Sequence, residues 1–481
     1  MKTTELAIVG AGPAGLAAAA EAVRHGVSVA LFDDNPLPGG QYFRQGPATR
    51  VQHQPATDPA KGRAADVKRA LELFSVTSHP RVTVLAGAIV WGVPAANTLA
   101  FTHVGRADRL RANAIIVAAG ASDRAVPFPG WTLPGVITAG GAQNLLKSQG
   151  VLPGLRAVLA GTGPLLLVVA DSLRRAGATV VEVLEASRVR RAWMALPRLA
   201  TQPALLRRGL AYRAGLAWAG IPLRWGQTVI EARGVDEVGE ALVAPIDRTG
   251  SVDRARARAI QVDTIVVGFG LTPATELTRL FGCAHEWRPA RGGWIPWRSA
   301  DLETSVPGVF AAGDGAGIAG SETAILEGRL SGLLAAARLG RCPAAEATTA
   351  GRRLRARLSR LTRFRMGIET LYSPLPDFLS LLTPETIVCR CEEVTAGQLL
   401  EGLGRGFTSI NALKGATRIG MGVCQGRNCL RTLADLVARE RQSQPADLVY
   451  PQARPPARPV RLGDLVREDI PAAAPPGMSL P

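Results

Sequence analysis

The stretch Leu6-Ala-Ile-Val9-Gly10-Ala-Gly12-Pro13-Ala14-Gly15, followed by the alanine-rich Leu16 to Arg24, decides the fold. Four apolar residues in a row suit a fully buried parallel strand. Gly10 then makes a tight turn, Gly12 lets backbone approach a pyrophosphate, and Gly15 lets the helix pack closely on the strand. The positive N-terminus of that helix faces the phosphate charge. A second strand, Val27 to Phe32, runs into Asp33, which lies 23 residues after Gly10. Asp33, or Asp34 as the alternative, is placed to accept hydrogen bonds from ribose hydroxyls. A glycine-rich turn alone would say little. Strand, glycines, helix, strand and acid in this order predict a dinucleotide-binding unit.

The pattern recurs at Ala157-Val-Leu-Ala-Gly161-Thr-Gly163-Pro-Leu-Leu166, with a helix from Leu167 to Ala176 and a strand from Thr179 to Leu184 ending at Glu185. Leu166 occupies the third glycine position. Its side chain should push helix from strand and crowd a dinucleotide. Glu185 would suit NAD or an adenine nucleotide rather than NADP. Gly161, Gly163 and Glu185 therefore mark either a second nucleotide site or a retained scaffold. Far downstream, Val309 to Ala312 reads as a strand stopped by Gly313-Asp314, with a helix from about Glu322 to Ala337. An acid between a buried strand and a helix can hold a flavin ribityl hydroxyl while the helix end faces the pyrophosphate. The other reading of Asp314 is an ordinary helix cap.

Six cysteines in 481 residues exclude a disulfide scaffold. Cys283 and Cys342 are isolated and read as small buried hydrophobes, so a redox dithiol is excluded. The other four form Cys389-Arg-Cys391 and Cys424-Gln-Gly-Arg-Asn-Cys429. Four thiolates fit a [2Fe–2S] cluster or a structural zinc. Zinc ligand pairs usually have two to four residues between them, whereas Cys389 and Cys391 have one. Cys429 opens a helix, Leu430 to Arg439, whose N-terminus favours anionic sulfur.

Several of these segments resemble known families. The Gly313-Asp314 segment resembles the second FAD motif of the glutathione and thioredoxin reductase class. Ile115-Ile-Val-Ala-Ala119-Gly120 matches that class's other short signature, and Pro38-Gly-Gly40-Gln41 matches its flavin-passing loop. The resemblance implies FAD, held by Gly10, Gly12, Pro13, Ala14, Gly15, Asp33, Gly40, Gln41, Ala119, Gly120, Gly313 and Asp314. The C-x-C-x₃₂-C-x₄-C pattern resembles the bacterioferritin-associated-ferredoxin-like module, in the version fused to flavoprotein dehydrogenases. That implies [2Fe–2S] on Cys389, Cys391, Cys424 and Cys429, with zinc and unligated thiols as alternatives.

Together with Val126-Pro-Phe-Pro-Gly-Trp-Thr-Leu-Pro-Gly135, these motifs make the chain resemble the α subunits of bacterial heteromeric FAD/[2Fe–2S] amino-acid and opine dehydrogenases. That group includes the larger flavoprotein chains of octopine and nopaline oxidases, the FAD/iron–sulfur chain of hydroxyproline dehydrogenase and the corresponding chain of hydrogen cyanide synthase. The resemblance implies that substrate is oxidised on an amino-acid-oxidase-like flavoprotein β subunit. It leaves room for a small third subunit, for FMN at a subunit interface, and for a respiratory-chain or dye-type electron acceptor. With five histidines and no nucleophile–base pairing, the sequence nominates no catalytic residue on this chain.

Composition limits the remaining classes. Hydrophobic residues are 47% of the chain and aromatics 5%, enough apolar material for packed domains and against disorder. The net charge is +17, nearly all from arginine. Ala186 to Ile230 and Ala347 to Ile368 carry arginines and no acid. Their Leu/Arg alternation suits amphipathic helices, read as a partner-subunit contact or as solvated faces. A membrane surface or nucleic acid is the weaker reading, since no nucleic-acid-reading motif accompanies the charge. Ala157 to Ala170, the longest apolar stretch near the middle, is too short to span a bilayer and contains a turn, so no transmembrane segment is expected. Ala7 to Ala20 reads better as strand and helix than as a signal peptide, which places the protein in the cytoplasm, with peripheral association at the inner membrane face left open.

The expected fold is α/β. It has two nested Rossmann-like units in the manner of glutathione reductase, plus a small α-rich C-terminal [2Fe–2S] module. The FAD domain takes residues 1–125 and 265–340, and the second nucleotide fold 150–265. A helical connector (341–385), the cluster module (386–440) and a Pro-rich tail (441–481) follow. Three functions fit: an electron-transferring subunit of a heteromeric dehydrogenase, a free-standing NADH-dependent ferredoxin-reductase-like flavoprotein, and a non-catalytic iron–sulfur scaffold.

Overall fold

The computed structural model describes residues 2–46, 61–188, 192–247, 249–373 and 377–466. Arg190 and Arg191 of the first basic run, and the tail beyond 466, lie outside these residues. The first sheet is built on β1 (Lys2–Val9), whose last four residues are buried as the apolar run requires. The helix that follows, α1 (Pro13–Arg24), starts three residues before Leu16. Proline's fixed φ and missing N–H suit the first helical position, so the helix begins directly after Gly12.

Beside β1 stand β2 (Val29–Asp33) and β3 (Val82–Ala86), and the meander of β4 (Ile89–Ala95), β5 (Thr98–His103) and β6 (Arg106–Val117) fills the other side, in the order β3-β2-β1-β6-β5-β4. The first half of β6 pairs antiparallel with β5. Its second half takes the late strand Val309–Ala311 in parallel, Ile115 opposite Val309. The chain thus returns to the first sheet after a long excursion, as the nested reading expects.

That excursion carries a second, all-parallel sheet. Its strands are β7 (Val136–Thr138), β8 (Arg156–Gly161), β9 (Thr179–Glu185), β10 (Leu223–Trp225) and β11 (Thr264–Gly268), ordered β10-β9-β8-β11-β7. The sheet reaches outside the span 150–265 on both sides. β7 is its edge strand, and β11 runs beyond 265 between β8 and β7. The physical reason is that a strand's place is set by its ladder partners, which neither boundary residue displays in its local sequence. Short strands at Ala121–Asp123 and Leu271–Pro273 pair where the chain passes between the two units.

Helix α2 (Leu165–Arg175) follows β8. Helix α3 (Ser321–Arg338) lies against α1 so closely that a Cβ on Gly328 or Gly332 would fall 2.1 or 2.4 Å from the carbonyl oxygens of Ala14 and Ala18. The connector is largely one 28-residue helix, α4 (Ala344–Leu371). In the C-terminal module the hairpin Ile387–Cys389/Val394–Thr395 and helices at 396–404 and 410–417 pack on α5 (Leu430–Glu440). Leu399, Leu413, Leu433, Leu436 and Val437 are wholly buried there, a core separate from those of the two sheets.

The arginine runs divide. Arg208 pairs with Asp66, Arg224 with Glu182, Arg355 with Asp301 and Arg365 with Glu369, so part of the charge is used within the chain. The described part of the tail is docked: Tyr450 stacks on Trp294 at 5.4 Å, and the Ala457 N–H donates to the Trp91 carbonyl.

Candidate FAD and iron–sulfur sites

The three predicted flavin motifs meet at the C-terminal edge of the first sheet, where ligands sit in open α/β folds. A Cβ on Gly10 would fall 2.3 Å from the Ala118 carbonyl oxygen, and one on Gly15 would fall 1.7 Å from that of Gly10. The first turn therefore has no space for side chains at these positions. The Gly39 N–H donates to Ala11 O, and a Cβ on Gly40 would come 2.9 Å from Gly12 Cα, which lays the Pro38–Gly40 loop over the glycine turn. Gln41 stands exposed at its end. Gly315 approaches Gly120 and Ala119, joining the Gly313-Asp314 segment to the second signature.

Two acids sit at this edge, and burial raises the pKa of each above the ordinary carboxylate value. Asp33 accepts from the Ala11 N–H at 2.6 Å through Oδ2 and from Asn35 through Oδ1. It thereby shapes the glycine turn. The alternative, Asp34, is exposed and pairs with Arg458 of the tail. Asp314 uses Oδ1 to accept from the N–H groups of Ala319 and Gly320, and among the described residues nothing donates to Oδ2. It ties down the loop that ends at Gly320, the N-cap of α3, and accepts from none of that helix's first-turn N–H groups, so it is not an ordinary helix cap and one oxygen is left over.

The sequence reasoning missed a supporting pair. Glu327, on α3, accepts from the Gly313 N–H and holds a bidentate ion pair with Arg298. A buried Glu on a helix gives no local sign of such a partner 29 positions away.

At the second nucleotide fold the loop is filled. Glu185, buried at the end of β9, accepts from the Gly163 N–H and the Ser187 N–H at 2.9 Å each, and burial raises its pKa. Leu166 is 1% exposed and packs toward Gly268 and Ala139, so the helix does accommodate it. The accommodation shows in the helix start: α2 begins two residues after Gly163, whereas α1 begins immediately after Gly12. Gly268 leaves Leu166 room, since a Cβ there would meet Leu166 Cδ2 at 3.0 Å and force that side chain to shift.

The four cysteines converge as two pairs. Cys389 couples electrostatically to Cys429, and Cys391 to Cys424. Among the described residues, the one group of three ligand atoms within 4.8 Å of one another lies elsewhere, so these sulfurs do not form the tight tetrahedron of a zinc site. Two thiolates for each of two irons is the donor set of [2Fe–2S]. The Cys429 thiol, with the N–H groups of Gly420, Glu392 and Cys391, lowers the pKa of Cys389 and favours its thiolate. Gly422 passes so near Cys391 that a Cβ would fall 2.3 Å from the Cys391 Cβ.

The module is fixed to the flavin unit by a polar seam that the sequence did not reveal. Arg124, its side chain 15% exposed, donates to Asp435 of α5 at 3.1 Å, and Arg431 shares that carboxylate while its guanidinium lies 4.4 Å from the Trp287 ring. Trp131 Nε1 donates to the Ile387 carbonyl at 2.6 Å, two residues before Cys389. Arg427, between the second pair of cysteines, pairs with Glu276 at 2.9 Å. Asp435→Ala should leave Arg124 buried without its counter-charge and cost about 3–5 kcal/mol. The check is thermal unfolding, with the loss expected in the melting of the assembled chain while FAD and iron remain bound.

Comparison with known proteins agrees with this anatomy. The family described as pyridine nucleotide-disulphide oxidoreductase matches residues 4–338, and the BFD-like [2Fe-2S] binding domain matches 387–439. The A-type subunit of opine oxidase from Agrobacterium tumefaciens is 36% identical over 473 residues, covering 96% of this chain and 91% of that protein. HcnB, a hydrogen cyanide synthase subunit of Pseudomonas aeruginosa, is 35% identical over 435 residues, covering 90% and 92%. Among solved structures, L-proline dehydrogenase from P. horikoshii superposes with a TM-score of 0.69 at 20% identity, covering 97% of this chain and 80% of that one, a likeness of fold. The chain is an FAD-dependent oxidoreductase with a [2Fe–2S] domain, and it belongs to the family that contains HcnB and the A-type subunits of opine oxidases.

Proposed function

We propose that this chain is the electron-transferring subunit of a heteromeric dehydrogenase or oxidase acting on an opine, hydroxyproline, proline or related amino acid. Electrons would come from an amino-acid-oxidase-like flavoprotein β subunit and leave to a respiratory-chain or dye-type acceptor. The observation that carries the reading is the polar seam. One chain holds a flavin cradle and a cluster site locked together through Arg124, Asp435 and Trp131. Relatives named as subunits support a partner. So does the surface: Trp193, Leu196, Leu210 and Trp218 stand exposed among the arginines of residues 192–218.

When bound, FAD and [2Fe–2S] supply the one- and two-electron chemistry. The chain's residues hold and orient them. Gly10, Gly12, Pro13, Ala14 and Gly15 form the pyrophosphate turn under the α1 N-terminus, with Asp33 toward the ribose. Ala119, Gly120, Gly313 and Asp314 close the cradle, the last offering Oδ2 to a ribityl hydroxyl, and Gly40 with Gln41 covers the turn. Cys389, Cys391, Cys424 and Cys429 ligate the cluster. The same proposal includes FMN at the subunit interface, together with a small third subunit. It places the assembly in the cytoplasm, in peripheral contact with the inner membrane face.

The second fold is proposed as scaffold rather than as an NADH site, because Leu166 fills the third glycine position and α2 starts two residues after Gly163 instead of directly behind the glycine turn. This separates the proposal from a free-standing NADH-dependent reductase. Stopped-flow mixing of the isolated chain with NADH should leave the flavin absorbance unchanged over seconds; prompt bleaching at low NADH would favour the reductase. Co-expression with an amino-acid-oxidase-like chain from a neighbouring reading frame should yield a stable complex, and a chain that stays monomeric in its presence would count against the subunit role.

A further inference from the structure

Away from the flavin edge, at the opposite end of α1, three side chains of different chemistry meet. His25 is the C-cap of α1, Cys342 lies in the turn between α3 and α4, and Glu346 stands in the first turn of α4. One ligand atom from each lies within 4.8 Å of the others. Metal–ligand bonds of about 2.0–2.3 Å put tetrahedral ligands roughly 3.3–3.8 Å apart, so small side-chain rotations would bring all three onto one ion. A fourth donor is at hand: Glu21, one turn before His25 on the same helix, has Oε1 4.0 Å from His25 Nε2.

The surroundings suit a cation. His25, Glu346 and Glu21 line a cleft of about 540 Å³. Arg341 at its margin faces the carboxylate of Glu5, while Arg24 and Arg329 approach Glu21 through Oε2 and leave its Oε1 on the His25 side. Among the described residues Glu346 has no ion-pair partner. Cys342 is 5% exposed, and its sulfur lies 3.7 Å from the Pro343 carbonyl and near the Ala347 N–H at the start of α4. Its thiol is thus shielded from bulk oxidants yet close to both other donors.

From this juxtaposition the geometry points to a zinc-class metal site formed by His25, Cys342 and Glu346, with Glu21 as the fourth ligand. A sulfur, an imidazole nitrogen and carboxylate oxygens select zinc or cobalt(II) over calcium or magnesium. The site is independent of the iron–sulfur module. Closed by four protein ligands, it would be structural. It would tie the end of α1 to the start of α4, and so brace the α1–α3 pair that shapes the flavin cradle from its far end.

The test uses the holoprotein, with FAD and iron in place so that the cluster cysteines are not free. After dialysis against zinc chloride and then zinc-free buffer, elemental analysis should find one retained zinc per chain. Cys342→Ser and His25→Asn should each lose that zinc while FAD and iron contents stay at wild-type levels. Absence of zinc from the wild type, or its full retention in either variant, overturns the site. A second readout needs no variant. Zinc-edge X-ray absorption of the loaded holoprotein should show one sulfur among nitrogen and oxygen ligands, and a ligand shell without sulfur would refute it.

Discussion

Gly15→Ala should weaken FAD binding about a hundredfold. The added methyl carbon would sit 1.7 Å from the Gly10 carbonyl oxygen, a backbone atom that cannot swing aside. Relief requires α1 to move off β1, and that motion carries the helix N-terminus away from the phosphate position. α1 is also held on its other side by α3, where Gly328 and Gly332 leave no slack. A conflict of this kind costs at least about 3 kcal/mol, which is roughly a hundredfold in affinity. Flavin released on denaturing the purified variant measures it. Gly209→Ala is the control: it lies in a helix with nothing within 4 Å of the new carbon and should retain full FAD.

Cys389→Ser should remove the [2Fe–2S] cluster and spare the flavin. Cys389 is buried in the module core beside the Cys429 thiol and backbone N–H groups, an environment that stabilises thiolate. A serine hydroxyl stays protonated there and is a poor iron ligand. Iron per chain should fall below about a tenth of wild type, together with the paramagnetic signal of the reduced cluster. Leu399, Leu413, Leu433 and Leu436 are wholly buried in the module core, and thermal unfolding of the variant separates loss of the cluster from loss of the fold. Cys283→Ser, at a buried thiol that contacts Thr304, should leave iron unchanged. Loss of iron in the control would show a general packing effect instead.

What could be read from sequence follows from how local each determinant is. Gly10, Gly12, Gly15 and Asp33 announce themselves because turn, helix start and acid fall within one strand–helix–strand unit. The four cysteines do so because few side chains share their chemistry. The seam through Arg124 and Asp435 joins residues 311 positions apart, and one arginine among many carries no mark of burial. The same holds for Glu327 and Arg298. At Leu166 the crowding expected from sequence is relieved by packing. That relief depends on Gly268, which only the parallel pairing of β8 with β11 brings alongside. Residues 136–138 could not be assigned to the second sheet for the same reason: three residues show no periodicity, and their place is given by the ladder to β11.

Electrons should enter this chain from a partner subunit, and that is the claim on which the functional reading turns. Its most direct test is paramagnetic resonance of the cluster under anaerobic conditions, after adding the amino-acid substrate to the isolated chain and to the chain with its flavoprotein partner. The reduced [2Fe–2S] signal should appear only in the assembled complex. A full signal from the isolated chain with substrate alone would contradict the partner-fed route.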